Sequence, residues 1–162
     1  MIRLETTSDR DAVRGVLAAA FPSATEADLV DALRAAGDLV LALVAEVKDV
    51  VGFVAFSRLV PAQAELRAVA LAPIGVVPAQ QRTGIGAALV RDGLSRLAEA
   101  GEDLVVVLGE TRFYQRFGFT PDAAPRLRTP YDGPHLLAKA LTEQGTGARG
   151  RVRYAPAFAA LG

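Results

Sequence analysis

The chain has 162 residues, 51% of them hydrophobic, a length that suits one domain with a sizeable core. Eighteen basic and eighteen acidic side chains balance to zero, so nothing in the overall charge draws the protein to nucleic acid or an anionic membrane, and any anion site must be local. The absence of cysteine excludes disulfides, thiolate metal ligands and a thiol nucleophile, and one histidine leaves too few soft ligands for a zinc site.

Residues 2–6 alternate as a short strand. Ser8 and Asp11 make a capping pattern ahead of Val13, Val16, Leu17 and Ala20 at helical spacing. Thr25 and Asp28 repeat it ahead of Leu29, Ala32, Leu33 and Ala36, with Gly37 where a second helix should stop. Residues 39–47 and 50–60 read as two strands joined by a tight turn at Lys48-Asp49. The apolar run 65–78 carries Pro73, which cannot donate a ladder hydrogen bond, so this strand is expected to bulge or splay there.

A helix over 84–100 turns Ile85, Leu89, Val90, Gly93, Leu94 and Leu97 to one side, with Gly101 ending it. Residues 103–108 read as a fully buried strand with a parallel partner. Residues 109–114 lead into a short helix, and Phe117 to Phe119 return toward a strand. Residues 135–141 and 151–158 read as closing strands around a mobile-looking segment, 143–150. The sum is a mixed α/β sheet in a single domain over 1–162. No apolar run reaches the roughly 20 residues of a membrane helix, and the start lacks the apolar stretch of a secretory signal. A cytoplasmic protein with no membrane partner is expected.

The segment VPAQQRTGIGAALV (77–90) sets Gly84 and Gly86 at a helix start. Such a start exposes unpaired N–H groups at the positive end of the helix dipole, and glycine lets an anion approach that backbone. Arg82 adds a guanidinium, so the stretch fits a pyrophosphate; close packing of helix on sheet is the alternative account of the glycines. A Walker loop is excluded because no glycine stands the required distance before a lysine here. A dinucleotide fingerprint matches two glycines but meets Leu89 at the third position.

Gln81-Arg82-Thr83-Gly84-Ile85-Gly86 resembles the Q/R-x-x-G-x-G/A signature of the GNAT superfamily of N-acetyltransferases. Val51 to Ser57 is similar to that family's third strand, and Tyr114-Gln-Arg-Phe117-Gly-Phe119 to its Y-x-x-(F/L)-G-F segment. Glu26 to Val30 and Arg153 to Phe158 resemble features of its YhbS-like branch. These segments occur in the family's order over most of the chain.

The resemblance implies a twisted, mostly antiparallel central sheet with a splayed parallel strand pair, flanked by helices. It implies acetyl-CoA as cosubstrate, no metal, and direct transfer of the acetyl group to a primary amine of an unidentified small molecule or protein. A non-catalytic acyl-CoA sensor is the alternative. By the same resemblance Ile74, Gly75 and Val76 face pantetheine and the thioester carbonyl, with the Val76 N–H polarising that carbonyl. Arg82, Thr83, Gly84, Ile85, Gly86 and Ala87 take the pyrophosphate.

Tyr114 falls where the family often carries a general acid, and a phenol is neutral at physiological pH; a tyrosine packed on Phe113 and Phe117 is the alternative. Glu110 is the candidate base, with Glu65 and a water chain as rivals. His135 reads as a surface turn residue, and Arg126, Arg128, Tyr131 and Asp132 as a solvated connection more than an acceptor pocket. Thr111-Arg112 and Phe53 depart from common family residues, so the acceptor is not carried over. The family's habit implies a homodimer.

Overall fold

The computed structural model describes residues 1–122 and 126–161. Strands β1 (Ile2–Leu4), β2 (Leu39–Glu46), β3 (Val50–Pro61), β4 (Ala68–Val76), β5 (Leu104–Leu108) and β7 (Leu136–Ala140) form one sheet in the order β1-β2-β3-β4-β5-β7. Pairing along it is antiparallel except between β4 and β5, as the expected fold requires. Two short strands, β6 (Leu127–Arg128) and β8 (Gly150–Arg153), pair in parallel with each other, and β8 also joins the end of β3.

Helices α1 (Arg10–Ala20) and α2 (Thr25–Ala36) cover one face, where Val13, Val16 and Leu17 bury against Val44, Phe53 and Ala55. Helix α3 (Ile85–Glu99) covers the other, placing Leu89, Val90, Leu94 and Leu97 on Val54, Phe56, Val105 and Val107. Each such leucine contributes about 1.5–3 kcal/mol by leaving water. The approach is close: a β-carbon on Gly93 would stand 2.5 Å from the Phe56 ring. Gly93→Ala would therefore force helix and sheet apart.

Several local expectations are corrected. Thr6 and Asp9, not Ser8 and Asp11, organise the entry to α1, because residues 7–9 first make a 3-10 turn. Asp9 accepts from the Thr6 N–H at 2.7 Å and from both ends of the Arg3 guanidinium at 2.7 and 2.9 Å. No strand forms at 117–119; Phe119 enters the core and a single bridge joins Thr120 to Ala138.

The last expected strand stops at Arg153, and Pro156, which has no N–H to give a ladder, opens a 3-10 turn to residue 161. The segment 143–150 is held, not loose. Thr142 Oγ1 accepts from the Gly145 N–H at 3.2 Å to start a four-residue helix, α5 (Glu143–Thr146).

A buried ion cluster sits where β4 and β5 begin. Glu102, with no exposed surface, accepts from Arg58 at 2.7 and 2.8 Å and from Arg67 at 2.9 Å. The neighbouring Asp103 accepts from the Arg67 N–H at 2.9 Å and from Thr142 Oγ1 at 2.7 Å. Glu102 is the buried member, and its charge is tolerable there because two guanidinium groups meet it from the more exposed side.

Candidate active site

The interruption foreshadowed by Pro73 is a bulge. Val54 pairs with Ile74 and Phe56 with Leu71, so Ala55 of β3 faces both Ala72 and Pro73 of β4. On its other side β4 pairs with β5 only as far as Leu71 and Val107, while β4 itself runs on to Val76. The two parallel strands therefore part after Leu71.

Backbone N–H groups alternate sides along a strand. The Val77 N–H donates to Val51 O of β3 at 2.9 Å, so the Val76 N–H points to the opposite, splayed side. The Val76 carbonyl accepts from Gln81 Nε2 at 2.9 Å. Ile74 packs its side chain on the α3 side of the core. Gly75 faces the other way: a β-carbon there would lie 3.2 to 3.3 Å from Leu17, Ala20 and Phe21. Its small size serves the seat of α1 on the sheet.

After Val76 the chain makes a tight loop in which Arg82 takes φ +66° and Gly84 φ +87°. Left-handed backbone is rare for an arginine, and such residues gather at ligand clamps where the surroundings enforce them. Gly84 is the N-cap of α3 and supplies no side-chain cap; the first N–H to find a helical carbonyl is that of Ala88, on Gly84 O at 3.0 Å. The amides of Ile85, Gly86 and Ala87 precede it at the positive end of the helix dipole.

A cavity of about 390 Å³ opens there, lined by Val76, Arg82, Gly84, Gly86, Ala87 and Phe113, with Gln80, Gln81 and Arg116 completing its wall. Thr83 turns its hydroxyl back onto Gln80 O and Ile85 packs toward the core, and neither lines the cavity. Arg116 lies 4.8 Å above the Phe113 ring and is a second guanidinium at the same rim. Sequence spacing carried no signal for it.

Helix α4 (Thr111–Tyr114) follows β5. It sets Tyr114 edge-on to Phe113 at 4.9 Å and to Phe119 at 5.6 Å. The ring is buried, which pushes the phenol from 10.0 up to about 12. No described residue bonds its hydroxyl, and Tyr114 lines neither this cavity nor the chamber described next. Glu110 is the exposed N-cap of α4, one turn before Tyr114, whose N–H donates to Glu110 O at 3.1 Å. Its carboxylate has no partner among the described residues and lines neither this cavity nor the chamber described next. His135 is exposed, as a turn residue should be.

Across the sheet, the parting strands leave a chamber of about 160 Å³ walled by Ala70, Leu71, Ala72, Val106 and Leu108 and closed by Tyr131, Tyr154 and Phe158. Tyr131 meets Tyr154 edge-on at 4.9 Å, and Tyr154 meets Phe158 at 5.2 Å. Burial, with help from Tyr131 and Asp132, raises the Tyr154 phenol further than that of Tyr114. Tyr131 is thus part of a wall and not of a solvated connection.

A mixed sheet whose one central parallel pair opens beside an uncapped helix start offers an extended slot that runs into unpaired backbone amides. The acetyltransferase (GNAT) domain matches residues 38–121, and the chain belongs to the GNAT acetyltransferase family. It is 38% identical over 135 residues to the N-acetyltransferase YhbS of Escherichia coli K12, covering 82% of this chain and 81% of that protein. The crystal structure of E. coli YhbS in complex with CoA superposes with a TM-score of 0.93 at 35% identity, over 100% of this chain and 93% of that one. A GNAT acetyltransferase from Brucella melitensis in complex with acetyl-CoA gives 0.83 at 36% identity, over 98% of this chain and 97% of that one.

Proposed function

We propose that this protein transfers the acetyl group of acetyl-CoA to a primary amine by direct attack. The observation that carries the reading is the continuity of the two half-sites: the uncapped start of α3 and the open side of β4 meet at Val76, which lines the cavity. The solved relatives, one with CoA and one with acetyl-CoA, support it.

The amides of Ile85, Gly86 and Ala87, with Arg82 and Arg116, take the pyrophosphate. The pantetheine arm runs along the free side of β4 past Ile74 and Gly75, and the Val76 N–H donates to the thioester oxygen as negative charge develops on it. The amine enters as the neutral base, a form that the apolar chamber favours by desolvating the ammonium. Its nitrogen forms the C–N bond, the C–S bond breaks, and the sulfur leaves with a proton. Tyr114 is the donor of that proton, held neutral by its burial. The nitrogen's own proton passes to solvent, and Glu110, exposed at the start of α4, is the acceptor we assign.

Calorimetry with acetyl-CoA and release of free CoA thiol across an amine panel test this together. Submillimolar binding with thiol release is expected. Binding without release under any acceptor would make the protein an acyl-CoA-binding module, and no binding would overturn the reading.

A further inference from the structure

Resting on the reading of amine acetylation, we propose that the acceptor carries an anionic group, carboxylate or phosphate, which seats on Arg128, Arg151 and Arg153 while its amine enters the aromatic chamber. The three arginines come together through the short β6–β8 pair. Arg128 stands opposite Arg151 in register, and Arg153 lies two residues along β8 on the same face, with Leu127 and Val152 buried behind them. Like charges placed directly across a strand pair repel.

No ion pair within the described residues relieves that repulsion. Arg3, Arg14, Arg34, Arg58, Arg67 and Arg96 each bind a carboxylate, whereas none of the three does. The acid beside them in the chain, Asp132, is engaged with its own loop, accepting from the Thr129 N–H at 2.8 Å and from Thr129 Oγ1 at 3.2 Å. In a chain of zero net charge, this is a local concentration of guanidinium with no ion-pair partner among the described residues.

The three line a cavity of about 670 Å³ that has no carboxylate side chain among its described lining residues and shares Tyr131, Tyr154 and Phe158 with the chamber at the strand splay. One ligand can therefore bridge the two. Guanidinium forks recognise carboxylate and phosphate in two-point fashion. The same positive charge, with the apolar rings, lowers the pKa of an amine held alongside and so favours the attacking form.

The experiment compares matched probes by calorimetry and by thiol release: O-phosphoethanolamine against ethanolamine, and phenylalanine against its methyl ester. Wild type is set beside a triple variant, Arg128→Gln with Arg151→Gln and Arg153→Gln. The anionic member of at least one pair is expected to bind wild type at least about tenfold more tightly, and the triple variant to lose that preference while its acetyl-CoA affinity and melting temperature hold. Which pair responds separates phosphate from carboxylate.

Equal or better binding of the neutral members, or a preference that survives in the triple variant, would overturn the proposal. Selective anion binding without thiol release, given intact acetyl-CoA binding, would uphold the anion site and sink amine acetylation instead.

Discussion

Gly109 and Tyr114 are fitted to each other: a β-carbon on Gly109 would stand 2.5 Å from the Tyr114 ring. The ring has nowhere to retreat because Phe113 and Phe119 meet it edge-on. Gly109→Ala is expected to destabilise the fold by about 1–3 kcal/mol through overpacking and to displace the hydroxyl. Tyr114→Phe keeps the ring contacts, so it should melt near wild type, bind acetyl-CoA as tightly, and lose about 10²-fold or more in kcat. Thermal melts beside thiol-release kinetics separate the two effects; a Tyr114→Phe enzyme with normal kcat would return this residue to a packing role.

Alkaline pH gives an independent view of the same residue. Burial raises the Tyr114 phenol from 10.0 to about 12, so the folded state holds the proton more firmly than the unfolded chain. Stability from this group is fully present below about pH 10 and declines as pH climbs toward 12. The melting temperature should fall across that window, less steeply in Tyr114→Phe, with a residual slope from Tyr154, whose phenol is raised in the same direction.

Gly86 offers a cleaner test of the α3 mouth than Gly84. Any side chain at Gly84 inherits a φ of +87°, whereas a β-carbon at Gly86 meets only Phe113 at 3.7 Å and Val76 at 4.0 Å. Gly86→Ala should thus leave fold and CoA affinity nearly unchanged, and Gly86→Leu should fold but fill the cavity. A rise of at least about tenfold in the CoA dissociation constant of the leucine variant is expected by calorimetry, with a melting temperature close to wild type.

At the acid end, the Arg3 guanidinium and the Thr6 N–H hold the Asp9 carboxyl well below the usual carboxylate range. A group depressed in this way stabilises the fold above the ordinary carboxylate pKa near 3.8 and ceases to as the pH drops through its folded value. Asp9→Asn should lower stability by about 1–3 kcal/mol near neutrality. The gap from wild type should close as the solution is acidified below about pH 4, as followed by melting temperature.

Local chemistry explains what the sequence made legible. Pro73 announced the bulge because a missing N–H acts at its own position in the ladder, and Gly84 announced the α3 mouth because a left-handed cap needs glycine. The packing role of Gly75 was not legible for the opposite reason: its neighbours Leu17, Ala20 and Phe21 lie more than fifty residues earlier, and their approach depends on how α1 crosses the sheet.

Arg116 reached the cavity rim only because the turn after α4 folds beneath the start of α3. The arginine and tyrosine cavity was least legible of all. β6 is two residues long, too short for any periodicity, yet its pairing with β8 is what gathers Arg128, Arg151 and Arg153.

The Arg58–Glu102–Arg67 cluster makes the β4–β5 pair a tweezer riveted at one end. The rivet lies where both strands begin, and the jaws open past Leu71, beyond the last paired residues. The strands are thus pinned at the end opposite the gap, away from every residue we assign to the acyl arm. If the acyl arm lies along β4 as proposed, Glu102→Gln is expected to change acetyl-CoA affinity by calorimetry although Glu102 is none of the residues assigned to the arm.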